Sequence, residues 1–222
     1  MKLFLDTANL DQIDDIFEKG IVQGVTTNPS LLSKEPKADF YLHIQKIASL
    51  CEEKGGVCPL SVEVFAKEPT EMVNQAMDIY NKIEYENLNI KIPVGYEEFG
   101  AINKLHAKGI DVNCTCCFSA TQMQLAALSG ARYVSLFYNR LLDDGGDPLK
   151  ALERTRKFID NNEINCEIIA GSIRNPYDLE DAWAAGAHIV TAGYGVIVKS
   201  AKHLKTDESV DGFLKDFGQW IR

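Results

Sequence analysis

Short apolar runs alternate with amphipathic segments along the whole chain. Each run is rich in β-branched residues, which is typical of a buried strand. The segment after each run has apolar side chains at helical spacing, as in Leu10–Lys19, where Ile13, Ile16 and Phe17 share one side. The pattern repeats eight times, and the runs predicted as strands are Leu3–Asp6, Gly24–Thr26, Leu60–Val64, Asn89–Ile92, Asp111–Cys116, Tyr133–Phe137, Glu167–Ala170 and His188–Thr191.

A helix is predicted after each strand, and a further amphipathic helix, at about residues 206–222, follows the eighth unit. This last helix carries an apolar stripe of Phe213, Phe217 and Trp220, which suits either a subunit contact or a cover for the bottom of a barrel. The other predicted helices are Leu10–Lys19, Tyr41–Lys54, Glu71–Ile83, Ala101–Lys108, Ala120–Leu128, Leu149–Asp160, Pro176–Ala185 and Gly195–Ala201.

Strict alternation of buried strands with helices predicts parallel strands joined by right-handed crossovers. Eight such units favour a closed barrel over an open doubly wound sheet. We therefore predict an α/β fold in which residues 1–222 form a single (β/α)8 TIM barrel domain with an extra C-terminal helix. The sequence has neither GxGxxG nor a P-loop, which disfavours a nucleotide-binding sheet. The cluster at 143–148 is predicted as a loop that caps the next helix.

The 222 residues carry a formal net charge of −9, and the pI is near 5.0. This balance argues against nucleic acid and membranes as partners, and an anionic substrate would need a local cluster of positive charge. No targeting segment is evident, so we predict a cytoplasmic protein with six reduced cysteines. The run Cys114–Cys117 lies on a predicted strand with no His at ligand spacing, so we predict no metal site.

Lys91 is the first candidate for chemistry. It lies near the end of the apolar run Leu88–Pro93, which predicts a buried strand. Burial removes the hydration of an ammonium and so favours the neutral amine, which can attack a carbonyl and form a Schiff base. The alternative is a lysine at a strand end with its amine in water.

Other polar residues also lie at strand ends, and this repetition favours the functional interpretation of Lys91. The carboxyl ends of the strands form the active-site face of a TIM barrel. An amine with carboxylates suits imine chemistry, and two arginines suit a tetrahedral oxyanion such as phosphate. The residues at these ends are Asp6, Thr26-Thr27-Asn28, Glu63, Lys91, Thr115, Ser135 with Arg140, and Ser172 with Arg174.

Each of these residues also has a purely structural interpretation. The segment Asp6-Thr7-Ala8-Asn9 could be only an N-cap for the first helix, and Thr27-Asn28-Pro29-Ser30 could be only a turn and cap. Glu63 lies inside an apolar run and needs a partner, for which Lys91 on the adjacent strand is the natural candidate. A structural pair is less favoured, because such pairs add little stability for their desolvation cost. The two arginines could be surface residues.

Four segments resemble one known family, the short bacterial and archaeal transaldolases with the related fructose-6-phosphate aldolases. The resemblance runs in order from the first strand to the last helix and implies a class I, Schiff-base aldolase barrel. The segments are Phe4-Leu5-Asp6-Thr7-Ala8-Asn9, Gly24-Val25-Thr26-Thr27-Asn28-Pro29-Ser30, Ile90-Lys91-Ile92-Pro93 and Ile169-Ala170-Gly171-Ser172-Ile173-Arg174-Asn175-Pro176.

The resemblance implies a catalytic role for four residues. Lys91 would condense with the C2 carbonyl of a ketose. Asp6 would take the C4 hydroxyl proton as the C3–C4 bond breaks, leaving an enamine on Lys91 that attacks an acceptor aldehyde. Glu63 and Thr115 would hold the water that carries protons during carbinolamine formation and breakdown.

It also implies a binding role for others. Asn28 would bind hydroxyls of the dihydroxyacetone unit, and Thr26 would line the same side. Arg140, Ser172 and Arg174 would hold the terminal phosphate. The chemistry implied requires no metal and no organic cofactor, and it belongs to the pentose phosphate pathway.

Three positions distinguish family members that transfer the three-carbon unit from those that catalyse simple aldol cleavage. Aldolase members of the family tend to have Gln at the position of Glu63 and Tyr at that of Phe137, and they lack the hydroxyl of Ser135. On all three, the chain resembles a transaldolase. A Tyr at this position could protonate the enamine or its water and release free dihydroxyacetone. Phe137 would instead exclude water from the part of the site beside the enamine.

The chain departs from the family pattern at two places near the predicted phosphate end. One is Ser135-Leu136-Phe137-Tyr138-Asn139-Arg140, and the other is the turn Gly193-Tyr194-Gly195 after the eighth strand. Glycine N–H groups and the Tyr194 hydroxyl could bind an anion there. A sulfonate carries one negative charge and needs less positive charge than phosphate, so 6-deoxy-6-sulfofructose transaldolase activity is an alternative.

The first expectation is therefore a transaldolase that acts on anionic sugars carrying phosphate or sulfonate. A fructose-6-phosphate aldolase that releases dihydroxyacetone is a further alternative. A non-catalytic sugar-phosphate binding barrel would keep the arginines but need neither Lys91 nor Asp6. The resemblance also implies a homo-oligomer, a pentamer or decamer.

Overall fold

The computed structural model describes residues 1–221, so residue 222 at the end of the predicted last helix lies outside the described residues. Eight parallel strands form a closed barrel in which each strand pairs with the next and the eighth pairs with the first. The predicted barrel is therefore confirmed. The strands are β1 (Lys2–Asp6), β2 (Val25–Thr26), β3 (Leu60–Glu63), β4 (Leu88–Pro93), β5 (Val112–Cys117), β6 (Tyr133–Phe137), β7 (Glu167–Ile173) and β8 (Ile189–Ala192).

Helices follow every strand. The described helices are α1 (Leu10–Glu18), α2 (Pro29–Leu32), α3 (Phe40–Lys54), α4 (Pro69–Ile83), α5 (Glu98–His106), α6 (Ala120–Leu128), α7 (Tyr138–Asp143), α8 (Pro148–Asn161), α9 (Pro176–Ala184), α10 (Tyr194–Ser200) and α11 (Leu204–Trp220).

Two short helices, α2 and α7, were not predicted. The helix α2 is one turn long and buries none of its side chains, so it has no apolar period to detect. The helix α7 follows β6 without an intervening loop. Its last residue is Asp143, so the predicted loop begins one residue later. The predicted cap is confirmed, because the Asp147 side chain accepts a hydrogen bond from Lys150 N at 2.9 Å at the start of α8.

A small apolar cluster fills the interior of the barrel below its carboxyl-terminal end. It consists of Phe4, Tyr133, Ile169 and Ile189, each at most 5% exposed. Side chains along a strand alternate between faces, so the residue two positions further along each strand also points into the barrel. Those four residues are Asp6, Ser135, Gly171 and Thr191, and all four line one cavity above the cluster.

The last helix, α11, is amphipathic but buries none of its side chains. Phe213 is 71% exposed and Trp220 is 81% exposed. The stripe therefore does not cover the bottom of the barrel, and that alternative is wrong. Within residues 1–221, no helix combines the length and the apolar character that a membrane crossing requires.

Candidate active site

A cavity of about 250 Å³ opens at the carboxyl ends of the strands. This is the end of a TIM barrel at which loops and strand ends build active sites. Of the predicted site residues, all except Arg174 line it. The lining residues that were predicted are Asp6, Thr26, Asn28, Glu63, Lys91, Thr115, Ser135, Phe137, Arg140 and Ser172.

Lys91 is 6% exposed and lies in the wall of the cavity. Strands β3 and β4 pair with Glu63 beside Lys91, and the Lys91 Nζ lies 3.1 Å from Glu63 Oε2. The predicted contact between these two residues is therefore confirmed. The Nζ also donates to the carbonyl oxygen of Thr27 at 2.8 Å. An ammonium has three donors, so one remains for a bound molecule.

Asp6 lies at the end of β1 on the same cavity. Its Oδ1 accepts a hydrogen bond from Thr26 Oγ1 at 2.7 Å. Burial raises the pKa of Asp6, while the positive charge of Lys91 and the Thr26 hydrogen bond lower it. Asn9, rather than Asp6, caps α1. The segment Asp6-Thr7-Ala8-Asn9 therefore does cap the first helix, through Asn9, and the carboxyl group of Asp6 is left available to the cavity.

Thr115 is fully buried at the end of β5. Among residues 1–221, its Oγ1 has no hydrogen-bond partner. Most buried polar atoms are hydrogen-bonded, and one that is not needs a functional or structural explanation. Because Thr115 lines the cavity, a molecule bound there can supply the partner.

Asn113 lines the cavity but was not predicted. Its Oδ1 accepts from Ser135 Oγ at 2.6 Å, and its Nδ2 donates to Ser61 Oγ at 3.2 Å. Because the Ser135 proton is used in the bond to Asn113, the lone pairs of this hydroxyl remain as acceptors. Asn113 precedes Thr115 by two positions on the same strand, so the period of two could have revealed it.

Two backbone irregularities shape the rim. The register shifts in β5 and again in β7, and Cys116 (φ 61°) and Ser172 (φ 60°) adopt the left-handed conformation at these points. Asn139 Nδ2 donates to the Ser172 carbonyl oxygen at 2.9 Å and so supports the second irregularity. Such strained positions are common at functional sites. Both residues line the cavity, and Cys116 was not predicted.

Asn28 caps a helix and also lies on the cavity, and its substrate-binding role stays a prediction. Its side chain accepts from Leu31 N at 3.0 Å and so caps α2. It also lines the cavity. The cap uses the side-chain oxygen, so the amide N–H groups of Asn28 remain as donors for a ligand.

The two predicted arginines differ in their surroundings. Arg140 lines the cavity, and its guanidinium lies 4.5 Å from the centre of the Phe137 ring. Arg174 is not a lining residue. Its Nη1 donates to Asp143 Oδ1 at 2.9 Å, and Nη2 bonds to the other carboxylate oxygen. This ion pair lowers the pKa of Asp143. An anion-binding role for Arg174 stays a prediction, and the pair with Asp143 leaves three of the five guanidinium N–H donors for it.

The turn Gly193-Tyr194-Gly195 contributes no lining residue. The Tyr194 hydroxyl donates to Asp15 of α1 at 2.7 Å. The Tyr194 hydroxyl is thus paired with Asp15 and does not line the cavity, so its binding of the substrate anion stays a prediction. An anion-binding role for the glycine N–H groups stays a prediction.

The cysteines are free thiols. Within the described part of the chain, residues 1–221, no group of three or more His, Cys, Asp or Glu side chains is placed to hold a metal ion. Burial raises the pKa of the half-buried Cys116 thiol, and the charge of Glu63 raises it further. This thiol is thus a neutral neighbour of the Lys91–Glu63 pair.

Residues 3–220 match the family model for transaldolase/fructose-6-phosphate aldolase, and the chain belongs to this family. It is therefore an enzyme of the aldolase/transaldolase type.

Several bacterial proteins named "Probable transaldolase" are similar over nearly their whole length. One from Clostridium botulinum (strain Eklund 17B / Type B) is 42% identical over 98% of both chains. One from Clostridium acetobutylicum is 41% identical over 98% of this chain and 97% of the relative. One from Alkaliphilus metalliredigens is 41% identical over 98% of both.

Proposed function

We propose that this enzyme is a transaldolase that moves a dihydroxyacetone unit from a ketose phosphate, such as fructose 6-phosphate, to an aldose such as erythrose 4-phosphate. One observation carries the proposal. A buried amine, Lys91, is paired with Glu63 at 3.1 Å in a cavity that also contains the carboxyl of Asp6. This set can form an imine and move the protons that imine chemistry requires.

The first half-reaction follows from these positions. The neutral amine of Lys91 attacks C2 of the ketose, and a carbinolamine forms and loses water to give a protonated imine. Asp6 then takes the proton of the C4 hydroxyl. The C3–C4 bond breaks, its electron pair moves into the imine, and an aldehyde leaves while an enamine remains on Lys91.

The second half-reaction reverses these steps on the acceptor. The enamine carbon attacks the acceptor carbonyl, Asp6 returns its proton to the new hydroxyl, and water releases the product from Lys91. Glu63 and the free hydroxyl of Thr115 hold the water that enters and leaves. No step in this sequence is oxidative, and every proton taken is returned.

Reductive trapping tests the proposal. The protein is incubated with fructose 6-phosphate and borohydride, digested and analysed by mass spectrometry. A mass increase on the peptide that contains Lys91, together with formation of sedoheptulose 7-phosphate when erythrose 4-phosphate is added, supports the proposal. An unmodified Lys91 in a preparation that is turning over contradicts it.

A sulfonated ketose, 6-deoxy-6-sulfofructose, is the second candidate substrate. The supporting observation is that Arg140 lines the cavity whereas Arg174 is paired with Asp143. A single guanidinium on the cavity suits an anion of one negative charge better than a phosphate dianion. Comparing kcat/KM for fructose 6-phosphate and for its sulfonate analogue, with the same acceptor, separates the two candidates.

Phe137 supports transfer over release of free dihydroxyacetone. Its ring packs edge-on against Phe118 at 5.8 Å between centres and lies under Arg140. We predict that Phe137→Tyr raises the ratio of dihydroxyacetone release to transfer by on the order of tenfold or more, because a phenol adds a proton donor beside the enamine.

The ratio is measured with and without erythrose 4-phosphate. Phe118→Tyr is the matched control, because Phe118 contacts the same ring but does not line the cavity. A ratio in Phe137→Tyr equal to that of the wild type would contradict the role given to this side chain.

The two arginines give a prediction on binding. Arg140→Ala and Arg174→Ala should each raise KM for fructose 6-phosphate by roughly tenfold or more while changing kcat little, because a charge-assisted hydrogen bond to the bound anion is lost. Initial rates over a range of substrate concentrations provide both constants.

Asp143→Asn sharpens this measurement. The variant weakens the ion pair of Arg174, so a lower KM is expected if Arg174 turns toward the anion. Arg154→Ala on α8 serves as the control for loss of a cation. A KM that is the same in Arg174→Ala and the wild type would remove Arg174 from the anion site.

Self-association through α11 is part of the proposal. The exposed apolar stripe on this helix includes Phe213, Phe217 and Trp220, and the last two rings pack 5.8 Å apart. A second copy of the chain would remove this surface from water. The pentamer or decamer expected from the family resemblance is consistent with such a contact.

A further inference from the structure

Thr191 of β8 has a hydroxyl to which the proposed mechanism assigns no role. It lines the cavity and is 6% exposed. Its Oγ1 lies 2.6 Å from Thr26 Oγ1, and Thr26 Oγ1 donates to Asp6 Oδ1 at 2.7 Å. Three neighbouring strands, β8, β1 and β2, thus place their side chains in a line that ends on Asp6.

The number of protons on each group determines which group donates and which accepts in these two hydrogen bonds. A hydroxyl has one proton and two lone pairs. When Asp6 is a carboxylate it can only accept, so the proton of Thr26 is used in the bond to Oδ1. In the contact with Thr191, Thr26 must therefore be the acceptor and Thr191 the donor. The order is Thr191 to Thr26 to Asp6.

We infer that Thr191 is a positioning residue for Asp6, because it holds Thr26 as a donor to Oδ1 and leaves Oδ2 to take the proton of the substrate's C4 hydroxyl. This inference rests on the proposed function. A hydroxyl that accepts a hydrogen bond becomes a better donor, so the Thr191 bond strengthens the Thr26 bond. Both bonds favour the carboxylate form that a base must have.

The other charged groups that face Asp6 act in both directions. The charges of Lys91 and Lys34 favour the carboxylate, whereas burial and the charge of Glu63 oppose it. Removing the Thr191 hydroxyl weakens one of the favourable contributions and leaves these charges in place. Deprotonation of Asp6 should then require a higher pH.

Thr191→Val is the test, because valine keeps the branched shape and the methyl group of threonine while removing the hydroxyl. The pH profile of kcat/KM is measured with fructose 6-phosphate and erythrose 4-phosphate. The acid limb is the low-pH part of the profile, where kcat/KM falls as Asp6 becomes protonated. We expect this limb to shift to higher pH by about half a unit, so that kcat/KM at a given pH on it falls about threefold. Thr191→Ser restores the donor and should restore the wild-type profile.

The control is Thr155→Val. Thr155 is fully buried in α8 and donates to the Ala151 carbonyl oxygen at 2.8 Å, away from the cavity. It reports the effect of losing a buried hydroxyl on stability alone, and its acid limb should match that of the wild type.

Two results would overturn the inference: an acid limb in Thr191→Val that coincides with that of the wild type, or a shift that Thr191→Ser does not reverse. A failure of the proposed function is distinguishable, since the wild type itself would then form neither a trapped Lys91 adduct nor product.

Discussion

Replacing Lys91 by alanine should reduce transaldolase turnover by roughly four orders of magnitude or more. The covalent route is lost with the amine, and no nearby group in the proposed mechanism can replace it. The borohydride-dependent mass increase should disappear at the same time. Initial rates and mass spectrometry of the trapped protein measure the two effects.

The folded state should survive this change, because the barrel core does not depend on the amine. The replacement does leave Glu63 without its partner, and a partly buried carboxylate that has lost its partner destabilises a protein. The double variant Lys91→Met with Glu63→Gln removes that charge and keeps the volume. Circular dichroism should show that this double variant is folded, and it should be as inactive as Lys91→Ala.

Lys46→Ala, on the exposed surface of α3, is the control for loss of a lysine. Product formation by Lys91→Ala at the wild-type rate would refute the assignment of the nucleophile. An adduct that persists in this variant would place the imine on another amine.

Asp6→Asn should lower kcat by about 10²–10⁴-fold, because an amide cannot take the proton of the C4 hydroxyl. The Schiff base should still form, since Lys91 keeps its place beside Glu63. Trapping with fructose 6-phosphate therefore separates a defect in C–C cleavage from a defect in imine formation.

The pH profile has a defined sign. Burial raises the pKa of Asp6, and the base must be deprotonated to act. Activity should consequently fall as the pH drops through a value above the ordinary range of an aspartic acid, and Asp6→Asn should lose this acid limb.

Asp11→Asn on α1 provides the control, because this carboxylate is exposed. A kcat in Asp6→Asn equal to that of the wild type would contradict the role of Asp6. Loss of the trapped adduct would instead place Asp6 in imine formation.

The barrel could be predicted from the sequence because each of its units repeats one signal. Buried strands that alternate with amphipathic helices bury their apolar residues in a parallel sheet covered by helices, and eight repeats favour a closed barrel over an open sheet. The helices α2 and α7 escaped prediction because each has six residues or fewer. Segments of that length carry too little of the 3.6-residue period to detect.

The site was predicted wherever a polar residue ended an apolar run, as for Asp6, Glu63 and Lys91. Cys116 and Thr191 were missed because cysteine is often buried and threonine is common in strands, so neither residue needs a functional explanation. The arrangement of Arg174 could not be foreseen, since its partner Asp143 ends a helix that was not predicted. The contacts of side chains at the rim of the cavity could not be predicted where they depend on short helices, because such helices have no detectable period in the sequence.

The apolar cluster inside the barrel has a kinetic consequence. Phe4, Ile169 and Ile189 are fully buried beneath the cavity, so in the part of the chain that the structure describes this interior is a dead end and not a tunnel. In the proposed reaction, the aldehyde released from the donor must then leave through the same opening by which the acceptor enters. The two sugars would therefore bind one after the other, with the three-carbon unit held on the protein in between.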